Sequence, residues 1–484
     1  MCGARAPMLM WLLFTSPIAR TEPARGDWLS SRGGVDNPGA AVLEVAAAGV
    51  PLAWTFEASG RVWGYQPGMT VWSSPALGVV DGRAVLAVGS YDHNLYLLDA
   101  RSGVEQWRFT TGGGVTATPV LWRDGARTWL YVASSDGLIY GLDANLGQRQ
   151  WIHSVEAWRP TFGGARLGSP CVSPGPDGEA TLVVSYWVWD RSLGQGQQES
   201  GLLALDARSG ALRWRTPLGD GAMSAPQCIP SNNGRRVAVG GVDGKFSLLD
   251  AVSGQIRWQH TELDAIRGSA AFALIEGEPA LFYASAYGLL RRVRLDDGAE
   301  RWQYKIAERV AGAPLVALVE GRPLVVIGAL DRTLHAVDAR DGRRVWRYGA
   351  RAGLFESAAF LDDASGGLLV TAAWDHHLHG VTARDGVLRF LAYTGRPLWD
   401  VLSLDDSAGS APVLGRLGTH DVAFVGSYSG VFYGLPVDSL VDLKGAPGLA
   451  NTHFWLSLPL SLGFVAGLAL WLTRRGRVRR AGLG

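Results

Sequence analysis

Cysteine is scarce. Only Cys2, Cys171 and Cys228 occur in 484 residues, which excludes a disulfide framework and leaves room for one bridge at most, its partners undecided by the sequence. Charge of one sign is also lacking. Lys and Arg total 45 against 44 Asp and Glu, a formal net charge of +1, so no global field argues for nucleic acid or for an acidic partner. The chain has no P-loop, no Gly-x-Ser-x-Gly elbow and no Cys-x-x-Cys. Glycine-rich stretches such as Gly112-Gly113-Gly114 lack the strand-to-helix context of a phosphate cradle. What is plentiful is glycine (64) and tryptophan (20), which points to a turn-rich all-β chain with a repeated structural Trp.

The two ends differ from the middle. Within residues 1–25, Arg5 precedes the apolar run Met8-Leu9-Met10-Trp11-Leu12-Leu13-Phe14, and Ala19 follows; this is the layout of a secretory signal peptide, or else of an uncleaved N-terminal hydrophobic segment. Cys2 lies before the run, not where a lipoprotein cysteine stands. Residues 454–472 are 19 positions without a charge, and as a helix they span about 28 Å, close to the hydrocarbon core of a bilayer. Trp455 and Trp471 flank the run, and Arg474, Arg475, Arg477, Arg479 and Arg480 follow it, which places the tail in the cytoplasm. The expected organisation is therefore an exported body over 41–436, a linker over 437–453, a transmembrane helix over 454–472 and a basic tail over 473–484. The protein would sit in the inner (plasma) membrane as a single-pass protein, with its body on the periplasmic side. A buried C-terminal helix is the plainer alternative.

The middle is a repeat. Its units close on Trp107, Trp151, Trp214, Trp258, Trp302, Trp346 and the stand-in Phe390, at steps of 44, 63, 44, 44, 44 and 44 residues. Four residues before each lies a glycine (Gly103, Gly147, Gly210, Gly254, Gly298, Gly342, Gly386), which predicts a turn with positive φ. Eight before lies Asp99, Asp143, Asp206, Asp250 or Asp338, a short carboxylate suited to the turn's own backbone N–H groups; Arg294 and Thr382 break the pattern. Inner strands are signalled by Pro75, Pro119, Pro170, Pro226, Pro314 and Pro412, with Ala271 and Ala359 substituting. That makes eight starts and seven closures. The eighth unit ends without its Trp, while residues 49–56, including Trp54, form a closing strand with no unit before it. The fold class expected is all-β: an eight-bladed β-propeller closed by the N-terminal strand, plus one C-terminal transmembrane helix. Closure removes the free edge of an open sheet.

The motif of strand, Leu-Asp-Ala, Gly and Trp resembles the pyrroloquinoline-quinone (PQQ)-type β-propeller repeat, over residues 49–436. The resemblance implies a family that holds quinoprotein dehydrogenases, which bind the quinone and calcium over the axis, and non-enzymatic members such as the scaffold lipoprotein of the outer-membrane assembly machinery. The dehydrogenases commonly carry an adjacent Cys-Cys ring; here Cys171 and Cys228 are far apart, and no calcium ligands or general base carry over residue by residue.

Function is expected where units depart from the repeat. The steps Trp54 to Pro75, Trp151 to Pro170 and Phe390 to Pro412 are long, and blade 3 carries about 12 extra residues around 187–200. All four insertions map to the face of the D–A and B–C loops. They hold Trp63, Tyr65, Trp72, Trp158, Trp187, Trp189 and Trp399, read either as caps on their own loops or as a candidate interaction surface. Arg166, Arg267, Arg309 and Glu356 precede inner strands and are candidates to line an axial funnel. Asp375, His376, His377 and His379 suggest a metal, but alternation along one strand splits the histidines between faces, and the repeat explains the turn. No catalytic residue, metal site or cofactor is assigned. The expected role is a scaffold module with protein partners in a membrane complex, without nucleic acid. A quinone- or metal-dependent oxidoreductase and a sensor of a small ligand in the funnel are the alternatives.

Overall fold

In the computed structural model, the described residues are 28–29, 40–43, 54–57, 73–155, 165–175, 179–190, 197–219, 224–229, 234–393, 410–418, 420–426 and 431–437. They form eight antiparallel blades around a ring. Blade 1 sets the pattern: strand A, Ala76–Val80; B, Arg83–Gly89; C, Asn94–Asp99; D, Glu105–Thr110. Strands B and C are almost wholly buried, whereas strand D alternates half-buried with exposed, as an outer edge strand should. Eight apolar clusters lie between blades, one at each junction, including that of blade 8 with blade 1. The core is therefore a closed circle of interfaces.

Closure is as the repeat count predicts. Blade 8 is a five-stranded sheet whose outer strand, Trp54–Glu57, pairs antiparallel with strand C, Val431–Pro436. Its innermost strand, Ala40–Leu43, pairs in parallel with strand A, Val413–Leu417. A second short segment, Trp28–Leu29, pairs with strand A of blade 2, Val120–Asp124. Two pieces of the N-terminal chain thus run along inner edges of the ring, which the sequence does not announce. One register differs from expectation: strand A of blades 5 and 7 starts at Ala271 and Ala359, as that of blade 1 starts at Ala76, so Ala270 and Ala358 take the proline position. The transmembrane helix expected over 454–472 lies outside the described residues. Among the described residues no helix is long and apolar enough to cross a membrane.

The repeat residues fasten one blade to the next. The indole Nε1 of Trp107, Trp151, Trp214, Trp258, Trp302 and Trp346 donates, at 2.8–3.0 Å, to a carbonyl in the C–D turn of the following blade: Ala144, Ala207, Ala251, Leu295, Ala339 and Ala383. The turn glycines have φ between +66° and +75°. A second constraint acts on them: a Cβ on Gly342 would stand 2.7 Å from the ring of Trp302, so the preceding blade's indole occupies the space. The Asp at the head of each turn accepts from its backbone. Asp99 takes the amides of Arg101 and Ser102 at 3.0 and 2.9 Å, and Asp250 those of Val252 and Ser253 at 3.0 and 3.1 Å. In blade 5, where Arg294 replaces Asp, Asp297 takes the amide of Ala299 instead.

Three of the turn carboxylates, those of Asp206, Asp250 and Asp338, titrate low. Hydrogen bonds from Arg340 hold Asp338 well below the ordinary carboxylate range, against the opposing effect of burial, and Arg322 adds to them. For Asp206 and Asp250 burial pushes upward, but Arg213 with Ser209, and Arg257 with Ser253 and Val252, bring the net value below normal. A folded-state pKa below the unfolded value gives stability that is complete above about pH 4 and is lost as pH falls further. Asp338→Asn is therefore expected to lower the urea midpoint at pH 7. The gap to wild type should close as pH drops below about 4; a gap constant from pH 7 to pH 2 would contradict this.

Candidate functional site

The B–C turns and D–A loops share one face. In blade 2 the carboxylate of Asp136 accepts from Gly112 N at 2.7 Å, and Ser134 Oγ donates to Gly113 O at 3.1 Å. The blade 3 insertion rises from this face as an extension of the sheet. Strand B of blade 3, Ala180–Asp190, has 11 residues and strand C, Gln197–Asp206, has 10, where blade 1 has 7 and 6. Four added residues per strand lift the hairpin about 13 Å above the ring. Pairing is continuous to Asp190↔Gln197, and strand D, Leu212–Gly219, follows it up to Ser200↔Gly219. On the inner side the short strand Ala165–Leu167 pairs with the raised part of strand B.

Alternation gives the hairpin two faces. Tyr186 and Val188 are buried and join Val155 and Leu167 in the cluster between blades 2 and 3. The Tyr186 hydroxyl donates to Glu199 at 2.8 Å and accepts from Arg215 Nε at 2.8 Å, while the Arg215 guanidinium lies 4.9 Å from the ring centre. Burial, only partly offset by Arg215, pushes the Tyr186 phenol up to about 12. This side is a support. The other side carries Trp187, half-buried, with exposed Arg166 directly opposite in the pairing and its guanidinium 5.9 Å from the indole centre. Such a cation–aromatic pair is a usual interface anchor.

The other sequence candidates distribute as follows. Trp63, Tyr65, Trp72, Trp158 and Trp399 lie outside the described residues; Trp189 is on strand B, its side chain outside them. Of the four funnel candidates, Arg166 is drawn to Trp187. Arg267 and Arg309 are exposed and Glu356 half-buried, on the loops entering blades 5, 6 and 7. Those loops crowd together: a Cβ on Gly268 would meet Gly312 O at 2.5 Å, and one on Gly312 would meet the Glu356 backbone at 3.0 Å. The pairing of Arg166 with Trp187 was missed because strand Ala165–Leu167 is three residues long and has no periodicity.

The histidine cluster is explained by the repeat. His379 is buried; its Nε2 lies 3.0 and 2.9 Å from the Asp375 oxygens and its Nδ1 2.7 Å from Tyr348 Oη. His335 does the same between Asp331 and Tyr304, at 3.2 Å each. In blade 2 Tyr140 holds this place and donates to Asp136 at 2.6 Å. Both ring nitrogens of His379 are engaged, and among the described residues no three His, Cys, Asp or Glu could hold a metal ion. Cys171 and Cys228 form a disulfide between strands A of blades 3 and 4, with Cα atoms 5.8 Å apart. The bridge joins two blades and spans 57 positions, unlike a ring between adjacent cysteines.

The profile of the family described as outer membrane protein assembly factor BamB matches residues 52–182, 155–330 and 263–432. No curated protein matches the chain in sequence. Among solved structures, BamB from Moraxella catarrhalis is similar at 16% identity and TM-score 0.51, over 79% of this chain and 97% of that one. The quinohemoprotein alcohol dehydrogenase of Comamonas testosteroni is similar at 14% identity and TM-score 0.59, over 86% and 82%. Sqt1 of Saccharomyces cerevisiae follows at 12% identity and TM-score 0.58, over 76% and 96%. At these identities the likeness is one of fold.

Proposed function

The chain belongs to the PQQ-like repeat β-propeller family represented by outer membrane protein assembly factor BamB, and from that membership we propose that it is a non-enzymatic interaction module of a membrane-associated protein complex. The observation that carries the reading is the raised blade 3 hairpin: a rigid sheet, braced by Tyr186, Glu199 and Arg215, that presents Trp187 and Arg166 above the loop face. Rigid elements carry interfaces with less ordering cost than loops. In this reading the N-terminal segment 1–25 directs export of the body, and residues 454–472 hold it to the inner membrane with the basic tail in the cytoplasm. The disulfide supports export, since such bonds persist in oxidising compartments.

The test is capture of partners from native membranes by wild type and by Trp187→Ala/Trp189→Ala. Loss of one or more partners at unchanged thermal stability is expected. An unchanged partner set would remove the hairpin from the reading. The quinone-dependent oxidoreductase has the fold of its relatives in favour. It has against it a disulfide that joins two blades instead of adjacent residues. The small-ligand sensor has against it the N-terminal strands along the inner edges of blades 2 and 8.

A further inference from the structure

The face opposite the hairpin is chemically distinct. Of the twelve exposed large apolar residues among those described, eight stand on the A–B and C–D turns or the strand ends beside them; Leu263, Tyr287 and Trp374 are on the hairpin face and Ile152 is on the outer rim. Leu274 and Leu318 are 64% and 63% exposed. They occupy the same register in adjacent blades, near the end of strand A, and each pairs with a proline of strand B, Pro279 and Pro323. Leu146, Leu212 and Val252 sit at turn positions where blade 1 carries Ser102, Glu105 and Arg101. The repeat therefore tolerates polar residues there, and packing does not explain the apolar ones. Part of the charge on this face is paired within it: Asp250 with Arg236 and Arg257, and Asp338 with Arg322 and Arg340. Arginine stems can lie along an apolar boundary with their heads in water.

The chain leaves from this same face. Strand C of blade 8 ends at Pro436, and Val437 N donates to Asp421 O, beside the A–B turn of that blade, at 2.7 Å. The residues beyond run to the uncharged segment 454–472. We propose that the A–B/C–D face rests on the phospholipid bilayer, with Leu274, Leu318, Leu146, Leu212 and Val252 at the headgroup–acyl boundary. The inference rests on the membrane anchoring proposed above. It adds an orientation: the ring lies flat on the lipid and the hairpin points away from it.

The test uses the full chain with Cys2→Ser, reconstituted into vesicles of phosphatidylcholine and phosphatidylglycerol. A fluorophore is placed on a single added cysteine at Leu274 or Leu318, and for comparison at Leu263 or Tyr287. Lipids spin-labelled near the top of the acyl chain should quench the first pair several-fold more than the second. Equal quenching in protein that floats with the vesicles overturns the orientation alone. Protein that fails to float overturns the anchoring and the orientation with it. All four sites are exposed, so a thermal melt matching wild type confirms that each variant is folded.

Discussion

Trp302→Ala is expected to destabilise the protein by about 3–5 kcal/mol, the range for truncating a buried large aromatic residue. Two losses combine. The indole fills the junction between blades 5 and 6, and its Nε1 bond to Ala339 O, 2.9 Å long, crosses that junction. Gly342, which lies against the ring, offers no side chain to fill the gap, and its backbone is held by the turn. Gly342→Ala should cost a comparable amount from the other side, through a Cβ 2.7 Å from the ring and a φ of +72°. Leu263, fully exposed, serves as the control, and its replacement by Ala should stay within about 0.5 kcal/mol. Urea denaturation of the three variants decides the matter; a Trp302→Ala loss below about 1 kcal/mol would sink the fastener role, being less than an average point mutation.

Reduction of the Cys171–Cys228 bond, or Cys171→Ser with Cys228→Ser, is expected to lower stability by up to about 4 kcal/mol. That is the chain-entropy value for closing a loop of this size, the two cysteines being separated by 57 positions. The bond joins the inner strands of blades 3 and 4, so its loss leaves the hairpin-bearing blade held to its neighbour by contacts such as the Trp214–Ala251 bond and the apolar junction. Denaturation with and without reductant, paired with thiol labelling under denaturing conditions, reads both the effect and its cause. Two reactive thiols at 171 and 228 in unreduced, unfolded protein would show that the bond does not form.

The ring was legible because its signals are periodic. Asp, Gly and Trp recur at fixed spacing, and a missing closure at one end matches an orphan strand at the other. Where a signal was degenerate the reading slipped: in Ala270-Ala271 and Ala358-Ala359 nothing distinguishes the residue that stands for proline. The partner of each Trp was not legible, since the spacing within a blade says nothing of the indole's reach into the next. Nor was the disulfide, which depends on two inner strands meeting 57 positions apart. For the candidate site, the location of the blade 3 insertion could be read from length alone. Its form as a continued sheet, and the meeting of Arg166 with Trp187, depend on pairing with a three-residue strand that no pattern marks.

The strand Trp54–Glu57 has a consequence for the order of events in synthesis. It waits for a partner that begins at Val431, with Trp54 opposite Gly434 about 380 residues later. Blades 1 to 7 can form as they emerge, each on the one before, but the circle cannot lock until nearly the whole body has been made. At about 5–20 residues per second, this strand spends tens of seconds without its neighbour, its hydrogen-bonding edge open throughout. The last blade to appear is thus the one that releases Trp54–Glu57 from that exposure, and a chain interrupted before Val431 would keep both edges bare.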